Sequence, residues 1–287
     1  MVKRTRRTKA EIGQLMGEIY TILNADHPMT VRQVFYRLVA NGIIDKTESE
    51  YKNSVVRLLA NMRRSRIIPF NWIADSTRWM RKPQTYPSVE EALRQTAVIY
   101  RRSLWDHNPH YVEIWLEKEA LAGVLYEETE AWDVPLMVTR GYPSLTYLYE
   151  AAEVINGYDR ATYLYYFGDH DPSGVDITRV VEREIQGFAP DTEIRFHRVA
   201  VIPQQIKDWD LPTRPTKQTD SRSKRFSGES VEVDAIPPKI LRELVRQAIV
   251  RHLDLDEIEK LGIIEMQERE MLENMAEVGF YQSRPIR

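Results

Sequence analysis

Apolar side chains recur every three or four residues along the first third of the chain, which is the spacing of a buried helix face. They predict a first helix over residues 8–25 and a second that begins after the cap Thr30 and ends at Gly42. A third helix is predicted over residues 49–64, followed by a β-rich run at 66–75 that suits a two-stranded wing. Three short helices and a wing indicate a winged helix-turn-helix.

From residue 106 onward, short apolar runs alternate with helical patterns. The runs predict strands at 111–117, 134–140, 161–169 and 193–202. Helices are predicted between them, over residues 118–132, 145–157 and 172–188. Strands that alternate with helices of this length favour an α/β fold with a parallel sheet covered on both faces.

The remaining segments complete the predicted organisation. Residues 83–108 read as a linker with one helix, and the polar stretch 208–230 as a long exposed loop. Two helices are predicted to finish the chain. The pattern therefore divides the 287 residues into a DNA-binding domain with linker at 1–105 and an α/β domain with C-terminal helices at 106–287.

Composition narrows the class of protein. The chain has no cysteine, which excludes disulfides, thiolate nucleophiles and cysteine zinc sites. No apolar run reaches the roughly 18 residues of a membrane-spanning helix, and no signal peptide follows the basic N-terminus. A cytoplasmic protein that needs no membrane is expected, associated with the nucleoid when it is bound to DNA.

The net charge of −3 conceals a strong asymmetry. Residues 1–82 contain 16 Lys and Arg against 7 Asp and Glu, a formal charge of +9, and the remainder carries −12. A basic N-terminal part and an acidic remainder suggest a module that binds a polyanion, joined to a module that binds cations. The predicted phosphate contacts are basic residues of the third helix and of the 208–230 loop: Lys52, Arg57, Arg63, Arg64, Lys217, Arg222, Lys224 and Arg225. The alternative is a plain three-helix module with a solvated basic face.

Acidic residues stand at the ends of two predicted strands. Glu117 ends the first strand of the α/β part, and Asp169 and Asp171 end and follow the third. Because ligands of an open parallel sheet gather at the carboxyl ends of its strands, these three side chains are expected to converge. Carboxylate oxygens suit magnesium or manganese. The alternative is that they cap helix N-termini.

Three motifs in this order resemble the Toprim domain shared by topoisomerases, primases and some nucleases. They are "WLEKEA", "TRGYPS" and "GDHDPSG". More narrowly, the chain resembles the A subunit of topoisomerase VI and the related meiotic double-strand-break protein, over most of residues 25–205. The resemblance implies a winged helix followed by a Toprim domain, in which Glu117 and Lys118 are catalytic residues and Glu117, Asp169 and Asp171 bind the metal.

The same resemblance implies a nucleophile. The family has a cleaving tyrosine inside an Arg-x-x-aromatic-Tyr sequence, which "RQVFY" supplies with Arg32 and Tyr36. On a helical wheel Tyr36 is expected to fall off the core face, beside Arg32. Tyr36 would attack a backbone phosphate of double-stranded DNA, with the guanidinium and the metal stabilising the developing charge.

Three hypotheses about activity stay open. The first is double-strand breakage by Tyr36 within a homodimer, as the resemblance implies. The second is a hydrolytic Toprim nuclease in which a metal-activated water replaces the tyrosine. The third is a DNA-binding partner subunit that does not cleave. The chain contains no G-x-x-x-x-G-K-[ST] sequence, so ATP-driven strand passage would require a separate ATPase subunit.

Overall fold

The structure, a computed structural model, describes residues 7–74, 83–216, 226 and 228–282. Contacts divide the chain into two compact units. The first comprises Met1–Arg78 with His110–Ala248, and the second comprises Trp79–Pro109 with Ile249–Arg287. The N-terminal helices therefore belong to the same unit as the sheet. The boundary near residue 105, drawn from sequence, stays a prediction.

The first two helices confirm the expected limits. Helix α1 spans Lys9–Ala25 and α2 spans Val31–Ala40. Each begins with a capping box, in which the threonine hydroxyl accepts an N–H three residues on and the Glu11 or Gln33 side chain bonds back to the threonine N–H. Gly42 follows α2 with a φ of 68°, a left-handed conformation that glycine adopts readily.

The third helix forms with an irregular interior, and the wing is not seen in its described part. A short turn, α3 (Glu48–Glu50), runs through a π-helical stretch into α4 (Arg57–Arg64). Beyond it, residues 66–74 hold a 3₁₀ turn at Phe70–Trp72 and a single parallel bridge between Met29 and Ile73. The chain returns to the start of α2 there rather than folding back on itself, so a paired hairpin does not form within these residues.

The sheet confirms the α/β prediction. Strands β1 (His110–Leu116), β2 (Leu136–Val138), β3 (Ala161–Phe167) and β4 (Ile194–Ala200) form one sheet in the order β2-β1-β3-β4. All three pairings are parallel. The carboxyl ends of β1 and β3 are therefore neighbours at the same edge.

Helices complete this unit. They are α6 (Ala122–Ala131), α7 (Leu145–Tyr158), α8 (Pro172–Phe188), α9 (Pro203–Asp208) and α10 (Pro238–Val250). One core cluster joins α7 and α8 to β1 and β3, with Trp115 and Tyr166 fully buried. Alternate strand residues such as Ile114 and Phe167 are also buried, so both sheet faces are covered.

A carboxylate lies inside this core. Glu113 of β1 is 1% exposed and accepts hydrogen bonds from Tyr111 Oη at 2.9 Å and Trp115 Nε1 at 2.7 Å. Burial, which outweighs both hydrogen bonds, raises the pKa of Glu113 from 4.5 to about 7. The folded state then holds a proton that the unfolded chain releases between pH 4.5 and 7, so this residue lowers stability progressively as pH rises through that window.

Glu113→Gln should therefore stabilise the protein at alkaline pH. The amide can accept from Trp115 and donate to Tyr111, so both hydrogen bonds survive. We expect nearly equal stability at pH 4 and an advantage for the variant approaching about 3 kcal/mol at pH 8. Urea unfolding at the two pH values measures the difference. An exposed substitution, Glu193→Gln, is the control, and an equal advantage at both pH values would contradict a charged, penalised Glu113.

The second unit pairs two helices. Helix α5 (Val89–Ile99) packs against the long α11 (Leu255–Gln282). Polar contacts continue past the end of α5, where Tyr100 Oη donates to Glu268 at 2.8 Å and Arg269 Nε donates to the Tyr100 carbonyl at 2.9 Å. None of the helices in the described ranges is long and apolar enough to cross a membrane.

Candidate functional site

The site begins where β1 and β3 end. Glu117 directly follows β1, and its backbone N–H donates to the Phe167 carbonyl at 2.9 Å, which aligns the two strand ends. Its carboxylate turns toward the next strand, where Oε2 accepts the Asp169 N–H at 3.1 Å. The predicted convergence of Glu117 with Asp169 is therefore present.

Two glycines make room for the Glu117 carboxylate. A Cβ on Gly168 would lie 2.5 Å from Glu117 Oε2, and a Cβ on Gly174 would lie 2.2 Å from the Asp169 carbonyl oxygen and 3.2 Å from Glu117 Oε2. Both distances to the nearest atom are shorter than side chains tolerate. Both positions of "GDHDPSG" therefore require glycine for steric reasons, because the Glu117 carboxylate and the loop backbone fill the space that a larger side chain would need.

Asp171 has two roles in this conformation. As the N-cap of α8 its Oδ1 accepts the Gly174 N–H at 2.8 Å, so the capping alternative holds for this residue. Its other oxygen faces Arg214 Nη2 at 3.4 Å. Asp171 is therefore positioned by the helix start while keeping one oxygen toward the charged cluster.

The carboxylates destabilise each other's charge. Burial, and then the negative charge of Asp169, raises the pKa of Glu117 to about 7. Burial also raises the pKa of Asp169, although Lys118 partly opposes it. Closely spaced carboxylates with raised pKa values are typical of functional sites, since a folding core does not need them.

The Lys118 ammonium forms ion pairs with three carboxylates. Its ammonium lies 2.7 Å from Asp234 Oδ2, 3.0 Å from Glu232 Oε2 and 3.1 Å from Asp169 Oδ1. Burial disfavours the charged form, but these neighbours outweigh it and raise the pKa of Lys118. The residue predicted as catalytic is therefore a permanently charged cross-link between the strand ends and residues 232–234.

Residues 230–236 are a part of the site that the sequence reasoning missed. This segment, "SVEVDAI", is buried throughout, and Val231 pairs with His170 in an antiparallel bridge directly after β3. The N–H of Val233 donates to Asp169 Oδ1 at 2.8 Å. Valine alternates with Glu232 and Asp234 in this segment, as in a strand. This alternation is the feature of the sequence from which the segment could have been predicted to be buried.

Glu232 gathers three cations. Its carboxylate lies 2.8 Å from Arg214 Nη1, 3.0 Å from Lys118 Nζ and 3.2 Å from Arg32 Nη1. Burial would raise the pKa of Glu232, but Lys118, Arg32 and Arg214 outweigh it and lower the pKa below the usual value. This carboxylate therefore ties α2 to the strand-end site.

Arg198 supports the loop from behind. From β4 its guanidinium donates to the carbonyls of Gly168 at 3.1 Å, Asp169 at 2.5 Å and Gly174 at 3.2 Å. Arg198 thus satisfies two carbonyls of the loop and one in the first turn of α8, which holds the Asp169 loop in place. No motif pointed to this residue.

A cleft of about 560 Å³ opens beside these groups. Its charged lining residues are Arg32, Glu48, Arg63, Lys118, Asp169, Arg214, Glu232 and Asp234. A cleft with cations next to strand-end carboxylates suits an anionic ligand that reacts or binds near a metal ion.

Tyr36 does not occupy the predicted position. The expectation that it falls off the core face is wrong, because its side chain is only 3% exposed. Helix α2 contacts the Val233–Ala235 turn, and Lys46 Nζ lies 5.3 Å above the Tyr36 ring. Burial, and then the charge of Glu232, raises the pKa of Tyr36 to about 12, which disfavours the phenolate.

The predicted DNA contacts lie in different environments. Arg63 lines the cleft, whereas Lys52 pairs with Glu48 on the surface and Arg57 and Arg64 are exposed. The four basic loop residues, Lys217, Arg222, Lys224 and Arg225, lie outside the described residues. Of the four predicted contacts that the structure describes, Arg63 is the one that lines the cleft.

The carboxylates at the strand ends offer a partial set of ligands for a magnesium ion. Among the residues described, no three His, Asp or Glu side chains are placed to hold a metal together, so Glu117, Asp169 and Asp171 are neighbours without forming a complete ligand set. Magnesium often takes only one or two protein carboxylates, with water and substrate phosphates supplying the rest. Glu117 with Asp169 or Asp171 fits that smaller set, although Glu117 Oε2 already accepts the Asp169 N–H.

Comparison with known proteins does not place the chain in a family. No protein-family model matches it, and no curated protein is similar enough to count as a relative.

Proposed function

We propose that this protein is a magnesium- or manganese-dependent enzyme that cleaves double-stranded DNA, built from a helix-turn-helix module and a Toprim-type domain. The fold part of the proposal is supported by the all-parallel sheet with Glu117 and Asp169 at neighbouring strand ends. For the helical module, support comes from three short helices that precede the sheet, with Arg63 near the end of the third.

One observation carries the activity. The carboxylates that are suited to a hard divalent cation adjoin a cleft that Arg32, Arg63 and Arg214 also line. A phosphodiester needs both features, because cations bind its charge and a metal site stabilises the charge that develops during cleavage.

The chain's own residues have distinct roles in this proposal. Glu117 and one of the two aspartates would hold the ion, which when bound activates a nucleophile and polarises the phosphate. Lys118 forms ion pairs with Asp169 and Asp234 and thereby fixes their positions. Arg198 holds the loop that carries Asp169.

Hydrolysis is the form of cleavage that the geometry favours. A buried Tyr36 with a pKa of about 12 would need both exposure and deprotonation before it could attack a phosphate. A water on the cation needs no side chain to become exposed, and the cation would lower the pKa of that water and so favour its deprotonation. The second of the three hypotheses therefore takes precedence over breakage by the tyrosine. The homodimer and a separate ATPase subunit, which the resemblance implies, stay predictions.

Incubation with supercoiled plasmid tests the proposal. Reactions contain magnesium or manganese, with and without chelator, and half of each detergent-stopped sample is digested with protease before electrophoresis. We expect metal-dependent nicked or linear DNA that migrates identically with and without protease. Linear DNA that enters the gel only after protease would instead show a covalent protein link. Intact plasmid under every metal condition would contradict both cleaving forms and favour the non-cleaving subunit.

Tyr36→Phe should leave cleavage within about threefold of the unchanged protein, because the proposed nucleophile is water. The measurement is the initial rate of plasmid cleavage in the same metal. Tyr51→Phe, on a ring that lines the cleft, serves as a control for removing a hydroxyl nearby. A complete loss of cleavage confined to Tyr36→Phe would restore the tyrosine as the nucleophile.

A further inference from the structure

Among the residues described, four cationic side chains line the cleft, and they differ in the carboxylates that pair with them. They are Arg32, Arg63, Lys118 and Arg214. Lys118 contacts three carboxylates, and Arg32 and Arg214 share Glu232. Within the described part of the chain, Arg63 has no carboxylate partner. Its Nε is a buried donor for which these residues supply no acceptor. A buried donor without an acceptor is costly, which points to a ligand that supplies one.

The surroundings of Arg63 fit a polyanion. Its guanidinium lies 5.8 Å from the centre of the Phe70 ring, and Phe70 is 65% exposed. Arg32, which also lines the cleft, has its guanidinium 4.7 Å from the centre of the Tyr51 ring. Stacking on a ring orients a guanidinium while leaving its N–H edge available for hydrogen bonds.

We propose that Arg63 binds a backbone phosphate of duplex DNA in this cleft, while Arg57 and Arg64 of the same helix make no specific contact. The inference rests on the proposed function, because the anion is taken to be the substrate of the neighbouring site. Arg63 presents a planar fork of donors that matches two phosphate oxygens, and no carboxylate of the described residues pairs with it. The cleft volume of about 560 Å³ accommodates a phosphate with its adjoining sugars.

Binding without cleavage isolates this contact. Fluorescence anisotropy of a short labelled duplex, in chelator, gives the dissociation constant at salt concentrations from about 50 to 200 mM. We expect Arg63→Gln to weaken binding about tenfold at the lower salt and to reduce the slope of log K against log salt by about 0.9, the loss of one phosphate contact. Arg57→Gln and Arg64→Gln should each change the affinity less than twofold.

Arg63→Lys guards against a folding artefact. It keeps the charge but loses the fork, so we expect an intermediate loss of affinity and an unchanged salt slope. Thermal melts establish that each variant is folded. Arg63→Gln binding with unchanged affinity and slope would overturn the inference, as would equal losses in all three glutamine variants, which would show only a general electrostatic effect.

The binding measurement and the cleavage assay can fail independently of each other. Selective loss of binding in Arg63→Gln without cleavage by any form of the protein would support the phosphate contact and refute the enzyme. Cleavage by the unchanged protein, together with normal binding by Arg63→Gln, would support the enzyme and refute the contact.

Discussion

Glu117→Gln is expected to lower metal-dependent DNA cleavage by at least about 100-fold while leaving the fold intact. The amide cannot supply a charged oxygen to the cation, but its oxygen can still accept the Asp169 N–H. Stability should not fall, and at pH 8 it should rise by about as much as for Glu113→Gln, since the two pKa values are raised by about the same amount. Burial raises the pKa of Glu117 from 4.5 to about 7, so at pH 8 the folded state carries the charge together with the full penalty for ionising it, and the amide removes that penalty.

The matched control is Glu119→Gln. Glu119 lies two residues further along and pairs with Arg140 outside the cleft lining, so cleavage should continue at the normal rate. Initial plasmid cleavage rates and urea unfolding at pH 8 are measured on the same preparations. Retention of more than a tenth of the rate by Glu117→Gln would remove Glu117 from the metal site. A large loss of stability would show that the residue is structural.

Gly174→Ala should have the largest effect on stability. Its Cβ would meet the Asp169 carbonyl at 2.2 Å, and backbone atoms cannot turn aside as the end of a long side chain can. We expect unfolding to be easier by at least about 3 kcal/mol, a fall in Tm of roughly 6–10 °C. Because relief of the clash moves Asp169, cleavage should fall as well.

Gly187→Ala, in the same helix, should have the opposite effect on stability. Gly187 lies near the end of α8 with nothing within 4 Å of a built Cβ, so alanine should stabilise the protein by about 0.5–1 kcal/mol. Thermal and urea unfolding of both variants provide the comparison. If Gly174→Ala were as stable as the unchanged protein, the close approach of the Asp169 carbonyl would not be real.

The secondary structure was largely predictable from local patterns. Helix α8 begins at Pro172, directly after the Asp171 cap, and α2 begins after Thr30, as expected from capping chemistry. The strands followed from short apolar runs between helical segments, and those runs became the parallel sheet. The winged region was harder, because a β-rich run such as 66–74 pairs only if a partner strand is available.

The site was predictable in part. Glu117 and Asp169 meet because topology brings the ends of adjacent parallel strands together, which the strand order alone implies. The Glu232 and Asp234 pair could not be placed the same way, because the segment that carries it is inserted beside β3 from over 60 residues away. Tyr36 was misplaced because a helical wheel shows one helix and cannot show what covers its other side.

The sequence by itself therefore determined the order of helices and strands, the caps that begin them and the carboxylates at the strand ends, since each depends on residues close together in the chain. Tertiary structure alone decided which charges neutralise one another. It joined Lys118 to Asp169, Glu232 and Asp234, buried Tyr36 and left Arg63 in the cleft without a carboxylate partner among the described residues. Electrostatic energy depends on distance and burial, and both are set by contacts between segments that the sequence separates.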